Sequence, residues 1–296
     1  MTNHQLPITN YHLFDRSRLR AHRARAAANF SAHDFLLREM VSRTCERLEE
    51  IKRTFPLALD IGAHNGMVAE ILAGRGGVET LVQMEVCEPM LRGAKGLRVV
   101  ADEEFLPFAE NSLDLVISVG ALHWVNDLPG ALIQIQRILK PDGLFLAMMP
   151  GGQTLRELRA AFEFAEMEIS GGVSPRVSPF VDVRDAGGLL QRAGFALPVV
   201  DSEIITVEYD HPLKLMKELR GMGEANALLE SAKHFTPCAT VMLAADYYMQ
   251  HFANPEGRIN ATVELVTLTG WKPHASQQQP AKRGSGQVSL IKAMKD

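Results

Sequence analysis

The chain has 296 residues, of which 46% are hydrophobic, enough to form one large core or one core with an appended unit. Its net charge of -4 lacks the basic excess that attracts phosphates, so no nucleic-acid partner is expected. Three widely separated cysteines predict neither a disulfide framework nor a metal site, and we assign no metal ligands. The apolar runs fall short of the roughly 20 residues that span a bilayer, so stable membrane insertion is not expected.

The first part of the chain predicts two helices. Residues 16–25 are rich in arginine and alanine, which favours a helix with a solvated arginine face and inward-packed alanines. The alternative is a docking surface for an anionic partner or for lipid headgroups. Residues 31–53 carry apolar side chains near helical spacing, which predicts a helix lying on a sheet.

Strands and helices then alternate up to Pro150. Strands are predicted at residues 57–61 and 113–118, at 144–149 after a turn at 140–143, and in two runs ending at Glu85 and Ala101. Helices are predicted from about Gly66, near Pro89 and over residues 129–139. This alternation predicts a parallel sheet with right-handed crossovers.

Beyond Pro150 the pattern is less regular. Helices are predicted over residues 155–169, 185–193, 211–219 and 240–251, a loop over 170–180, and strands over 197–209 and 261–271. We expect both late strands to complete the sheet at its edge. The chain is therefore divided into a cofactor-binding core (14–150), a substrate cap with edge strands that completes the same domain (151–272) and a polar C-terminal tail (273–296).

Carboxylates stand at the ends of the first three strands. Asp60 lies beside a glycine-containing turn, Glu85 ends the second strand, and Asp102 follows the third. This spacing is compatible with NAD or with S-adenosylmethionine. A carboxylate beside the turn would repel a pyrophosphate but attract an ammonium or sulfonium group, so S-adenosylmethionine is predicted. The expected cofactor-binding residues are Asp60, Gly62, His64, Gly66, Glu85, Val86, Asp102, Glu103 and Gly120.

Three further residues are candidates for catalysis. His123 and Trp124 follow the fourth strand, at the carboxyl edge where open α/β sheets bind ligands. The histidine can act as a base and the indole can cover an adenine or a methylene chain, unless both only pack beneath a loop. Glu224 is suited to a bidentate pair with an arginine guanidinium. The segments 174–180, 221–226 and 283–285 either face the substrate or form plain turns.

Four segments, at residues 101–108, 122–129, 171–175 and 221–226, resemble those of a known family. The chain is similar to the class I S-adenosylmethionine-dependent methyltransferases of type 11, and within them to the mitochondrial complex I assembly factors described as arginine hydroxylases. The resemblance implies an α/β, Rossmann-like three-layer sandwich with a mostly parallel sheet, N-terminal helices and a helical substrate cap. It also implies that Glu85 holds the ribose and Asp102 the adenine amino group, with Glu103 beside it.

The same resemblance implies that the protein hydroxylates an arginine of the quinone-site subunit of respiratory complex I during assembly. Two alternatives are an O-methyltransferase acting on malonyl-carrier protein, which the fold and the His-Trp segment also resemble, and a non-catalytic assembly chaperone. The chaperone reading is favoured by His64, which replaces a glycine of the family's turn and is expected to crowd the cofactor. Hydroxylation needs a redox centre, and the sequence shows no facial-triad spacing.

The dozen residues ahead of Phe14 lack the apolar region of a signal peptide and are few for a transit peptide. On that ground we expect a bacterial cytoplasmic protein, with peripheral contact at the inner membrane during complex I assembly. The sequence leaves the oligomeric state open.

Overall fold

A seven-stranded sheet organises the protein, and the computed structural model describes residues 12–278. The strands are β1 (Phe55–Ile61), β2 (Val78–Glu85), β3 (Leu97–Val100), β4 (Leu113–Val119), β5 (Leu139–Pro150), β6 (Ala196–Tyr209) and β7 (Ile259–Trp271). Their order in the sheet is β3-β2-β1-β4-β5-β7-β6. Strands β1 to β5 pair in parallel, whereas β7 is antiparallel to both neighbours.

Nine α-helices accompany the strands in the described part of the chain. They are α1 (Arg16–Ala26), α2 (Phe35–Glu50), α3 (Met67–Leu72), α4 (Glu88–Leu91), α5 (Leu128–Ile138), α6 (Arg156–Ser170), α7 (Val183–Arg192), α8 (Pro212–Gly221) and α9 (Cys238–Phe252). Short 3-10 segments cover Ala27–Ala32 and Leu122–Trp124. Helix α5 shows why such elements form, because the Asp127 carboxylate accepts the Gly130 amide and buried residues recur at helical spacing.

Two apolar layers lie on opposite faces of the sheet. Leu59 of β1 belongs to the layer shared with Leu132 of α5 and with α7, whereas Ala58 belongs to the layer shared with Val41 of α2 and with α3. Successive strand residues point to opposite faces, so a central strand covered on both sides must be apolar almost throughout. The predicted three-layer α/β sandwich is confirmed.

The cap is a third apolar layer over one end of the sheet. Helices α6, α8 and α9 pack around the buried Tyr248 and against Ile259 at the start of β7. Strand β7 pairs with β5 from Leu144↔Trp271 to Pro150↔Leu265 and with β6 along its other edge. The two late strands thus complete the sheet as predicted, with β6 at its edge.

The sheet departs from the sequence prediction at one strand start. Strand β5 begins at Leu139, five residues earlier than expected, because a register shift lets Leu113 pair with Leu139 while Leu115 pairs with Leu144. The expected turn at residues 140–143 lies within this irregularity, where Lys140 Nζ binds both Asp114 carboxylate oxygens at 2.9 Å.

Among residues 12–278, no helix combines the length and the apolar character needed to cross a bilayer. The tail segment at 283–285 lies outside the described residues.

Candidate functional site

The carboxyl ends of β1, β2 and β4 lie side by side at one end of the sheet and line a cleft there. Asp60 and Glu85 are both fully buried there. Gly62 follows β1 with a φ of +72°, and a Cβ at this position would lie 2.0 Å from the Cβ of Ala121. Only glycine therefore permits the close approach of this turn to the loop after β4. Gly66 stands at the start of α3, as the strand-turn-helix pattern predicted.

Glu85 is the most heavily bonded acid of this edge. Its Oε1 accepts the Cys87 amide at 3.0 Å and Arg23 Nη1 at 2.9 Å, and its Oε2 accepts the His64 amide at 3.1 Å. Burial disfavours the charged carboxylate, but the Arg23 cation and the hydrogen bonds from Arg23 and the Cys87 amide together outweigh burial and lower the pKa of Glu85. Glu85 is thus a buried anion held by the protein's own cation.

Two arginines of α1 point toward Glu85, Asp102 and Glu103, the acids at the carboxyl ends of β2 and β3, which we call the acidic edge. Arg23 is fully buried, and Arg16 Nη2 binds Asp102 Oδ1 at 2.7 Å and the neighbouring Glu103. The prediction of a wholly solvated arginine face was therefore wrong for these two residues, because buried acids need cations beside them. Arg20 and Arg25 do face solvent. A sequence signal existed, since Arg16, Leu19, Arg23 and Ala26 share one helical face.

Asp60 differs from Glu85 in having no hydrogen-bond partner. Both of its carboxylate oxygens are buried and unpaired within residues 12–278. Burial, with the nearby charge of Glu85, raises the pKa of Asp60 to about 8. A buried carboxyl group of this kind is suited to receive a ligand that carries hydrogen-bond donors.

His64 fills the turn between β1 and α3. Its backbone is left-handed, with φ 49°, and its ring Nδ1 donates to the Gly62 carbonyl at 2.6 Å. Burial and the Arg23 charge lower the pKa of the His64 imidazole to about 4, so the ring is neutral at physiological pH. The ring faces a cavity of ≈ 60 Å³ that Gly120, His123 and Glu224 also line. Val86 is buried beside Phe30, whose ring lines the same cavity.

The three candidate catalytic residues lie together although a hundred residues separate them in sequence. Glu224 Oε2 accepts hydrogen bonds from His123 Nε2 at 3.0 Å and from Trp124 Nε1 at 2.7 Å. Burial opposes ionisation of Glu224, but the His123 hydrogen bond and the nearby positive charge of Arg23 are among the interactions that together outweigh burial and lower the pKa of Glu224 to about 2. Trp124 also packs edge-on against Phe14 at 5.1 Å between ring centroids.

A larger cavity of ≈ 300 Å³ opens beside Glu224. Most of its lining is apolar and comes from α2, α6, α8 and β7, with Trp124 and Phe180 at the loops. Residues 176–178 and 180 of the predicted substrate-facing loop do line it. The sequence prediction did not single out Arg176 within that loop, where its Nε donates to Glu166 at 2.6 Å, and it missed Tyr209, which also lines the cavity.

Comparison with known proteins identifies the domain. Residues 59–147 match the methyltransferase domain family. The chain is 43% identical over 285 residues to the arginine-hydroxylase NDUFAF5, mitochondrial, of Danio rerio, covering 94% of this chain and 88% of that protein. It is 32% identical over 283 residues to the malonyl-[acyl-carrier protein] O-methyltransferase of Methylovorus sp. (strain MP688), covering 91% and 93%. The chain belongs to this methyltransferase family.

A solved methyltransferase structure has a similar fold. The phosphoethanolamine N-methyltransferase 2 of Haemonchus contortus, solved with S-adenosylhomocysteine, superposes with a TM-score of 0.53 at 16% identity, over 86% of this chain and 60% of that one. The methyltransferase domain confirms S-adenosylmethionine as the predicted cofactor. The unpaired Asp60 carboxyl group and the glycine turn at Gly62 fit a cofactor rich in donors, while Glu85 and Asp102 hold arginines in this structure.

The family comparison corrects the expected location. The bacterial cytoplasmic assignment, with its peripheral contact at the inner membrane, was wrong: the Danio rerio relative is a protein described as mitochondrial. The argument from the residues ahead of Phe14 failed because a short polar leader carries no positive signal of a compartment.

Within the described residues, no group of three or more histidine, cysteine, aspartate or glutamate side chains is arranged to hold a metal ion.

Proposed function

We propose that the protein binds S-adenosylmethionine at the strand-end acids and acts on an arginine side chain of the quinone-site subunit during complex I assembly. Hydroxylation of that arginine is the proposed modification, in line with the name of the 43% identical relative. It replaces a hydrogen by a hydroxyl group, so dioxygen must supply the oxygen atom and an external reductant two electrons, with the second oxygen atom leaving as water. Residues 14–150 form the cofactor core in this proposal, and residues 151–272 supply the substrate cap of the same domain.

The proposal rests on the hydrogen bonds and the charge of Glu224, which lines the larger cavity. Its Oε2 is occupied by His123 and Trp124, while its Oε1 accepts no hydrogen bond from residues 12–278. With a pKa of about 2 the carboxylate stays charged at neutral pH. A guanidinium can bind such an anion while its methylene stem lies along the apolar wall.

The proposed cofactor contacts follow from the positions of the acids. Glu85 would hold the ribose hydroxyls and Asp102 the adenine amino group, with Glu103 beside it. The surrounding wall would be formed by Gly62, His64, Gly66, Val86 and Gly120. Asp60 would accept donors at the methionine end. Bound S-adenosylmethionine supplies a sulfonium cation and an electrophilic methyl group.

His123 is the proposed base at this site. The Nε2 hydrogen of His123 donates to Glu224, so Nδ1 is the ring nitrogen that is not engaged by the carboxylate. That nitrogen is buried and has no partner among the described residues, so it can accept a proton. Trp124 would hold Glu224 in place from the other side.

The test uses the full-length protein and a peptide of the complex I quinone-site subunit that contains the arginine. Intact-mass analysis should show added oxygen; an added methyl group would replace hydroxylation by methyl transfer. Methylation of malonyl-carrier protein, with no change in the peptide, would support the O-methyltransferase instead. Cofactor and peptide binding without any mass change would support the chaperone.

Glu224→Gln examines the arginine contact directly. Loss of the charge should weaken binding of the arginine peptide by about tenfold or more in calorimetry, because an ionic hydrogen bond becomes a neutral one. Glu163→Gln, an exposed change on α6, is the matched control and should bind as the parent does. Equal peptide affinity of the two variants would contradict the assignment of Glu224.

A further inference from the structure

We propose that α1 is a gate of the cofactor site, closed by Arg23 on Glu85 and opened when S-adenosylmethionine replaces it. The inference rests on the proposed function, because it takes Glu85 and Asp102 as the acids that hold the adenosine part. It assigns a regulatory role to the arginine-rich helix that the proposed chemistry does not otherwise use.

The arginines of α1 and the cofactor compete for the same acceptors. Arg23 Nη1 lies 2.9 Å from Glu85 Oε1 and 3.7 Å from Glu103 Oε1, while Arg16 bridges Asp102 and Glu103. These are the carboxylates that the ribose hydroxyls and the adenine amino group need. The cavity that remains beside His64 has ≈ 60 Å³, whereas small-molecule pockets usually have about 300 Å³ or more. Cofactor and closed α1 therefore exclude each other.

The ion pair between Arg23 and the buried acids leaves several polar atoms without a hydrogen bond. Arg23 Nε and Nη2 and Glu103 Oε1 are buried without a hydrogen-bond partner in the described chain. Buried donors and acceptors left in this state oppose the stability that the ion pair contributes. Because S-adenosylmethionine carries cationic groups and several donors, it can replace the arginine without leaving the acids unpaired.

The attachment of α1 to the rest of the protein allows the helix to move. A kink with non-helical backbone at Asn29 (φ -132°, ψ 20°) follows the helix and offers a hinge. On its other side, Leu19 of α1 packs into a small apolar cluster with Trp124 and Leu228. The remaining contacts to the segment after α8 are polar, including His22 Nδ1 to the Ala225 carbonyl at 3.1 Å and Arg18 Nη1 to Ser231 Oγ at 2.8 Å. Such contacts can break without unfolding the core.

The same contacts connect the gate to the substrate side. Gly223, with φ +81°, lets α1 approach closely, since a Cβ there would lie 3.3 Å from the Arg23 Cα. The next residue is Glu224, at the end of the larger cavity. Movement of α1 and the position of Glu224 are therefore coupled through one short segment.

Calorimetry with S-adenosylmethionine and S-adenosylhomocysteine tests the gate on Arg23→Gln, with Arg20→Gln, an exposed position of the same helix, as the matched control. Removing the competing cation raises the population of the open state, so Arg23→Gln should bind both compounds about tenfold more tightly. Arg20→Gln should bind as the parent does. Parental or weaker affinity in a folded Arg23→Gln would overturn the gate.

Limited trypsin digestion of the parent protein gives a second readout that needs no variant. Saturating S-adenosylmethionine should speed cleavage after the arginines of α1, because the helix leaves the acidic edge; slower or unchanged cleavage would overturn the gate. The two hypotheses fail differently. If the parent, Arg23→Gln and Arg20→Gln bind S-adenosylmethionine equally, only the gate is rejected. If neither the parent nor Arg23→Gln binds it, the cofactor site is rejected as well.

Discussion

The buried side chain of Asp60 makes the stability of the protein depend on pH. Its carboxyl group has no hydrogen-bond partner among residues 12–278, and its pKa is raised to about 8. The native state therefore keeps a proton that the unfolded chain releases near pH 4. Stability contributed by this proton is lost as pH rises toward the native pKa.

The first prediction is that Asp60→Asn removes this loss. Asparagine cannot ionise, so between about pH 6.5 and pH 8 the free energy of unfolding of the variant should rise relative to the parent by roughly 1.5 kcal/mol. Urea unfolding at the two pH values measures the difference. Asp185→Asn, at an exposed position of α7, should show no such change. A constant difference between Asp60→Asn and the parent would show that Asp60 ionises normally.

At this scale the sequence located the acids but not their partners. Spacing along the chain placed Asp60, Glu85 and Asp102 at strand ends, where the structure has them. It did not reveal that Arg16 and Arg23 turn toward them, because an arginine-rich helix is normally solvated. The cost of unpaired buried acids decided the orientation, and that cost exists only once the sheet edge is formed.

The position of α1 depends on the segment that precedes it. Asn126, after the Leu122–Trp124 turn, accepts the amides of Leu13 and Phe14 on its Oδ1, each at 2.7 Å, and donates to the Phe14 carbonyl at 3.3 Å. One side chain thus satisfies three backbone groups that are about 112 residues away in sequence. It fixes where the N-terminal helix starts.

The second prediction is that Asn126→Ala loosens α1. Losing these bonds should cost about 1 to 3 kcal/mol locally, so trypsin should cleave after the arginines of α1 several times faster than in the parent. Asn254→Ala is the control, because Asn254 also accepts backbone amides, from Glu256 and Arg258, but far from α1. Equal cleavage rates in the two variants would mean that Asn126 does not anchor the helix.

Helices and strands were largely predictable, whereas the early start of β5 was not. Periodicity found α2 and α5 because their apolar residues recur at helical spacing. The extension of β5 back to Leu139 depends on its partner Leu113 across a register shift, and pairing with a distant strand leaves no local signal.

On the scale of the whole molecule, the last strand joins the cap to the core. Strand β7 lies between β5 and β6, and its Leu268 is fully buried in the layer shared with α5 and α7. Main-chain hydrogen bonds along both edges of β7 connect residues before and after Pro150. We therefore expect the described chain to unfold as one cooperative unit.

The third prediction is a single calorimetric transition that Leu268→Ala shifts as a whole. The substitution removes a buried side chain from the sheet, and its free energy of unfolding should fall by about 2 to 5 kcal/mol. Ile204→Ala, on the exposed edge strand β6 where the side chain is 55% accessible, should cost less than about 1 kcal/mol. Two transitions, only one of which responds to Leu268→Ala, would show that core and cap are separate domains.

The sequence by itself determined the fold class, the cofactor and the order of the elements, because periodicity, strand-end acids and turn glycines are local features that survive without tertiary contacts. The family followed from the resemblance of four sequence segments to known proteins. Only the tertiary structure decided that Glu224 joins His123 and Trp124, and that Arg16 and Arg23 cover the acids of the cofactor edge. These pairings join residues 62 to 101 positions apart. They form because folding buries charges that must then find a partner, and which partner is near depends on the packing of the whole chain.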